Sequence, residues 1–259
     1  MKKEISITEY TSRSTCAVAV CRNNDYDCSN PICWGSGFII EYKKRIFFVT
    51  ADHVIHYEDY VESKRVAVNG NVFLLTNKVK KNEFKFLVVG VAPIYYFDKK
   101  VIGDDARQLL DCAICLLSKK IINPLISKKI KDENGVDLLS KGNCKILISS
   151  DVIDIPSKNR KYLVSGEINH QISGVFLKSN LVSHQSISFS KEEQDFYTFH
   201  TPSVISLSNW KGLSGAPFFD DKGSVVGMLT DVKVGYHIIH VLPFNRIIPL
   251  LECVIANES

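Results

Sequence analysis

Trp210-Lys211-Gly212-Leu213-Ser214-Gly215-Ala216-Pro217 is the stretch that decides how this 259-residue chain is read. It sets a serine in a glycine-flanked bend just before an apolar strand, which is how a nucleophilic hydroxyl is presented to a substrate. Gly212 and Gly215 lack the Cβ that would hinder a strained turn. The backbone N–H groups of Gly212 and Ser214 can then converge on one point and stabilise an oxyanion there. Such bends also serve as ordinary hairpin connections, so the motif carries weight only with partners.

Two partners lie upstream. Gly35-Ser36-Gly37-Phe38-Ile39-Ile40 leads through Tyr42-Lys43-Lys44-Arg45 into Ile46-Phe47-Phe48-Val49-Thr50-Ala51-Asp52-His53. This reads as a hairpin that delivers a histidine just past a buried strand. Asp111 opens the apolar run Asp111-Cys112-Ala113-Ile114-Cys115-Leu116-Leu117, where a lone carboxylate can orient an imidazole. A serine hydroxyl is a poor nucleophile at neutral pH. It needs an imidazole with a pKa near 6.5 to take its proton and pass it to the leaving amine, and a carboxylate to fix the tautomer. Taken singly, His53, Asp111 and Ser214 each have a common structural use, as a strand-end histidine, a strand cap and a turn residue. Together they supply all three roles.

These residues, in the order His, Asp, Ser, resemble the trypsin-like (chymotrypsin-fold) serine peptidases. Gly35-Ser36-Gly37-Phe38, Val49-Thr50-Ala51-Asp52-His53, Asp111-Cys112-Ala113-Ile114, Gly212-Leu213-Ser214-Gly215-Ala216-Pro217 and Val225-Val226-Gly227-Met228 carry the likeness across most of residues 14–255. It implies His53 as general base, Asp111 as orienting acid, Ser214 as nucleophile, and the N–H groups of Gly212 and Ser214 as oxyanion hole. The implied fold is all-β: two six-stranded antiparallel β-barrels meeting at a cleft, closed by a C-terminal helix.

The chain departs from the digestive branch at Leu213, where those enzymes carry an aspartate engaged by a freshly cut N-terminus. An Ile-Val-Gly-Gly type start is also missing. Control by a partner, a ligand or loop order is therefore expected, with the polar stretch Asn180 to Asp195 read as a candidate control loop. By resemblance the specificity pocket has its base at Ser208 and walls from Ser206 to Lys211 and from Thr230 to Val234, so Ser208, Lys211, Thr230, Asp231 and Val232 are the expected substrate-binding residues. Asp231 can serve a basic side chain; His200, His237 or His240 can favour an acidic or amide one. His56 forms His-x-x-His with His53, but metal ligation would consume the base.

Composition fits. With 45% hydrophobic and 23% charged residues, the chain buries a substantial core. A net charge of +4 and scattered runs such as Lys78-Val79-Lys80-Lys81 and Lys128-Lys129-Ile130-Lys131 read as solvated faces rather than a nucleic-acid footprint. No apolar run reaches the roughly 18 residues of a membrane span. The start, Met1-Lys2-Lys3-Glu4-Ile5-Ser6, lacks the apolar core of an export signal, which leads to the expectation of a cytoplasmic protein. Of the eight cysteines, Cys16, Cys21, Cys28 and Cys33 are spaced by five, seven and five residues, unlike common zinc pairs. Cys112, Cys115, Cys144 and Cys253 read as packing residues, and reduced thiols are expected throughout. No metal or other cofactor is called for.

The strand pattern divides the chain into an extension (1–13), a first barrel (14–117), a basic connection (118–143), a second barrel (144–242) and a C-terminal helix (243–259). Predicted first-barrel strands are Ala17 to Cys21, Gly37 to Ile40, Ile46 to Val49, Val72 to Leu75, Phe84 to Val91 and Cys112 to Leu117. Those of the second are Lys145 to Ser149, Tyr162 to Ser165, Gly174 to Leu177, Phe196 to Thr201, Ala216 to Phe219, Ser224 to Leu229 and Tyr236 to Val241. Two readings follow. The chain is a serine endopeptidase acting on a protein or peptide substrate under a protein partner's control, by analogy in a bacterial defence or stress pathway. Alternatively it is a catalytically silent binding or scaffold protein on the same fold.

Overall fold

The computed structural model describes residues 5–62, 70–80, 83–100, 107–126, 144–173, 176–193 and 195–258. For 60, 61, 77–80, 83–87, 97–100, 107–109 and 176 only the backbone enters the description. The turn signals Asn134-Gly135 and Lys141-Gly142 and the basic run Lys128 to Lys131 lie outside the described residues.

A first helix, α1 (Ile7–Ser14), runs directly into β1 (Thr15–Cys21). Next come β2 (Cys33–Tyr42), β3 (Arg45–Thr50), α2 (Asp52–Ile55) and α3 (Tyr57–Glu62). Then follow β4 (Asn71–Lys80), β5 (Glu83–Val91), β6 (Tyr95–Lys100), β7 (Arg107–Leu117), α4 (Lys119–Ile126) and β8 (Ile148–Ser149). These strands form one sheet in the order β5-β4-β1-β2-β3-β7-β6, with β8 running parallel to β2. The β2–β3 hairpin turns on Lys43 and Lys44, both with positive φ, the conformation a two-residue turn needs to match strand twist.

The rest of the chain builds β9 (Lys161–Ser173), β10 (Phe176–Glu193), β11 (Phe196–His200), α5 (Leu207–Trp210), β12 (Pro217–Asp220), β13 (Val225–Val232), β14 (Ile238–Pro243) and α6 (Phe244–Asn257). Its six strands close into an antiparallel barrel, β10-β11-β14-β13-β12-β9. Tyr162, Phe199, Phe218, Val226 and Val241 fill it. The first sheet has its own core of Phe38, Ile40, Phe47, Val49 and Ile114. Phe219, Met228 and Leu242 of the barrel strands and Phe244, Ile247, Leu251 and Val254 of α6 pack on that same core. The two units therefore share one seam. The i, i+3, i+7 and i+10 spacing of those α6 residues is the apolar stripe of a docked helix.

Four expectations need correction. Only the second unit closes into a barrel; among the described residues the first is an open sheet that ends at β5 and β6. Strand β6 was missed, because Tyr95-Tyr96-Phe97-Asp98-Lys99-Lys100 lacks a sustained alternation. Ile148 and Ser149, expected in the second barrel, pair with Ile40 and Glu41 of the first sheet. Most of the stretch read as a control loop, Asn180 to Asp195, belongs to the 18-residue barrel strand β10, which pairs with β9 as far as Ser188 and with β11 from Ser188 to Glu193. A half-exposed antiparallel strand needs few apolar residues, so polarity alone mimicked a loop.

Candidate active site

His53 sits in the first turn of α2, directly after β3, and Asp111 lies within β7, the neighbour of β3 in the sheet. Adjacent strands thus carry base and acid to the same edge of the seam. His53 Nδ1 lies 3.0 and 2.9 Å from Asp111 Oδ1 and Oδ2, and the His53 backbone N–H donates to Oδ1 at 3.1 Å. One carboxylate therefore fixes both the ring and the peptide that bears it. Burial pulls the His53 pKa down. The charge of Asp111 and its hydrogen bond outweigh this, helped by the charges of Asp52 and Asp231, and leave the imidazole above its ordinary value. A base must be neutral to accept a proton, so activity falls as pH drops through this raised pKa. The acid limb of kcat/KM is expected to have its midpoint above pH 6.5, the ordinary histidine value, and a pH–rate profile checks it.

The serine comes from the turn after α5. Leu213 is fully buried in the barrel core and anchors this turn with an apolar side chain, where the digestive branch has an aspartate. Trp210 lies flat on His184, ring centroids 3.9 Å apart, and His184 Nε2 is 2.9 Å from the Asn209 carbonyl. Gly212 and Gly215 both have positive φ, +106° and +91°. A Cβ on Gly215 would overlap the Ser36 carbonyl oxygen, so only glycine fits against β2 there. Along the turn the N–H of Leu213 bonds Trp210 O, that of Gly215 bonds Leu229 O, and that of Ala216 bonds Leu213 O. Among the described residues the N–H groups of Gly212 and Ser214 bond no acceptor, so both remain available to an incoming oxyanion.

Ser36 ties the two units together at this point. Its N–H donates to Ser214 O at 2.8 Å and its hydroxyl to Gly212 O at 2.7 Å. Its own carbonyl accepts from Thr50 Oγ1 at 2.6 Å. The first two bonds pin the serine turn to the sheet that carries His53, and the third fixes Ser36 within that sheet. Ser36→Ala leaves the Gly212 carbonyl short of a buried partner and is expected to lower stability by about 1–3 kcal/mol in denaturant unfolding. Among the described residues the Ser214 hydroxyl has no hydrogen-bond partner. The His53–Asp111 link is thus closed and the Ser214–His53 link open, a looseness common in unliganded catalytic sites.

The expected specificity residues are spread more widely. Ser208 is exposed on α5, its hydroxyl 3.4 Å from that of Ser206. Thr230 is buried and donates to His240 O, and Val232 packs on the barrel core. Asp231 is held by His240 Nδ1 at 3.1 Å and Lys233 Nζ at 2.7 Å, and those bonds hold its pKa far below the usual carboxylate range. Its charge is already engaged within the protein. Lys211 stands apart from this group and lines a cavity with Gly212. Of the other histidines, His56 is buried 2.6 Å from Asp52 Oδ1, and His237 Nδ1 lies 3.1 Å from Thr201 O. All eight cysteines are free, with Cys21 and Cys28 sulfurs 3.6 Å apart. Among the described residues no three His, Cys, Asp or Glu side chains converge as a metal site, and no helix is long and apolar enough to cross a membrane. The Ser36 clamp and the His184–Trp210 stack escaped the sequence reading. Both join residues far apart in the chain, and neither leaves a local pattern.

A closed six-stranded barrel, a half-barrel sheet on a shared seam and a C-terminal helix together define the chymotrypsin-like fold. A solved structure described as the serine endoprotease from Yersinia pestis matches all of this chain and 70% of that one, with a TM-score of 0.51 and 14% identity. The likeness at that identity is one of fold. Neither a protein-family model nor a curated protein matches the chain.

Proposed function

We propose that the protein is a serine endopeptidase that cleaves a polypeptide through an acyl-enzyme, with Ser214 as nucleophile. The observation that carries this reading is the double contact of Asp111 with the ring and backbone of His53, made on the sheet to which Ser36 pins the Ser214 turn. Asp111 holds the proton on Nδ1, so the Nε2 lone pair is the one that acts as base. His53 takes the Ser214 proton as Oγ attacks the carbonyl carbon, the N–H groups of Gly212 and Ser214 stabilise the oxyanion, and the same proton passes to the leaving amine. Water then repeats the sequence and releases the acid. Substrate binding closes the Ser214–His53 link.

Leu213 in the barrel core leaves no carboxylate for a new N-terminus to engage, so control falls to a partner protein rather than to removal of a leader segment. Incubation with unfolded protein and mass spectrometry of the fragments tests the activity. New N-termini that appear with the wild type and not with Ser214→Ala are the expected result. Equal fragmentation by both overturns it.

A further inference from the structure

A cavity of about 890 Å³ opens beside the serine turn, with Gly212 and Lys211 on its barrel side. Across from them stand Ile32, Trp34, Ile55 and Tyr57 of the first unit. None of Ser208, Thr230, Asp231 or Val232 lines it, so of the expected specificity residues it takes in Lys211 alone. Two large apolar side chains crown its rim in water, Ile32 at 61% exposure and Tyr57 at 62%. Below them Trp34 lies flat on His170, ring centroids 4.6 Å apart at 7°. The His170 side chain is only 1% exposed, and among the described residues neither ring nitrogen has a hydrogen-bond partner. A carboxylate oxygen, Glu167 Oε2, is 3.9 Å from Nε2. Burial above all holds the His170 pKa below its ordinary value, so the ring is neutral and serves as an aromatic backing for Trp34.

On the serine peptidase reading, we propose that this cavity receives the leaving-group side of the substrate and selects a large apolar side chain, such as phenylalanine or leucine, at the first or second residue after the bond cut. The expected specificity walls, β13 among them, serve the acyl side of the bond, so a cavity that shares Gly212 with the oxyanion turn and has none of the β13 residues is left for the other side. An extended residue advances about 3.3 Å, so the first two residues after the bond stay within about 7 Å of it. Burying one such side chain against Ile32, Trp34 and Tyr57 favours it at least about tenfold over alanine. Arg22 and Lys211 on the rim, against Glu58 alone, disfavour lysine or arginine there.

The test combines two readouts on wild type and on the double variant Ile32→Ser/Tyr57→Ser, whose altered side chains are exposed and leave the core intact. Fluorophosphonate labelling of Ser214 reports the nucleophile without any leaving-group residues and is expected at the same rate in both proteins. Peptides varied at the two positions after the bond are expected to show kcat/KM at least about tenfold higher for Phe or Leu than for Ala in wild type, and less than about threefold higher in the double variant. Labelling without that preference, or with a preference that the double variant keeps, overturns the inference while sparing the peptidase. If Ser214 does not label, the peptidase reading has failed separately. The cavity is then judged by binding of Phe- and Ala-starting peptides, followed by tryptophan fluorescence. Tighter binding of the Phe peptide that the double variant loses supports the inference, and equal binding overturns it.

Discussion

Ser214→Ala is expected to reduce peptide hydrolysis by about a millionfold in kcat while leaving the fold intact. The magnitude follows from the unit behaviour of a nucleophile and its base: without Oγ no acyl-enzyme forms, and only the oxyanion site and binding remain. The intact fold follows from local structure. Ser214 contributes to packing through its carbonyl, which accepts from Ser36, and its hydroxyl bonds no described residue. His53→Ala is expected to match it, and the double variant to be no worse than either alone, because the losses do not add. Matched unfolding curves together with single-turnover assays check both halves of this expectation.

Asp111→Asn is expected to lower kcat by about ten-thousandfold, with little change in KM. The asparagine amide matches the carboxylate in size but offers a donor where His53 Nδ1–H needs an acceptor, so the ring settles in the tautomer that cannot take the serine proton. The same substitution removes the charge and hydrogen bond that raise the His53 pKa, so the acid limb of the residual activity moves to lower pH. A loss of activity with an unmoved limb contradicts this assignment of roles. The pH profile also separates it from mere unfolding.

Much of the site could be read in the chain because it rests on short, local chemistry. Gly212 and Gly215 announce a turn only glycine permits, and His53 follows a strand whose five buried residues, Ile46 to Thr50, read plainly as β. Asp111 stood out as a carboxylate in an apolar run, although β7 begins four residues earlier and carries it mid-strand. What escaped depends on partners distant in sequence. Closure of a sheet is decided by which edges meet, and Phe84 to Val91 reads the same whether or not β5 finds a further neighbour. Lys145 to Ser149 is apolar enough for either unit; the backbone register of Ile40 with Ile148 decides. The polar β10 read as a loop because from Asn180 to Glu193 every side chain except Ile187 is exposed or half-buried, which leaves no apolar alternation. Asp231 reads as available to a basic substrate side chain, and its ion pairs with Lys233 and His240 leave no trace in the sequence pattern.

Labelling with a fluorophosphonate probe, located by mass spectrometry in the wild type, Ser214→Ala and His53→Ala proteins, tests the central claim most directly. The account predicts a single adduct on Ser214, absent from Ser214→Ala and slowed by orders of magnitude in His53→Ala. Folded wild-type protein that takes no label in the presence of a cleavable unfolded substrate, or labels equally without His53, contradicts it and leaves a binding protein on a peptidase fold.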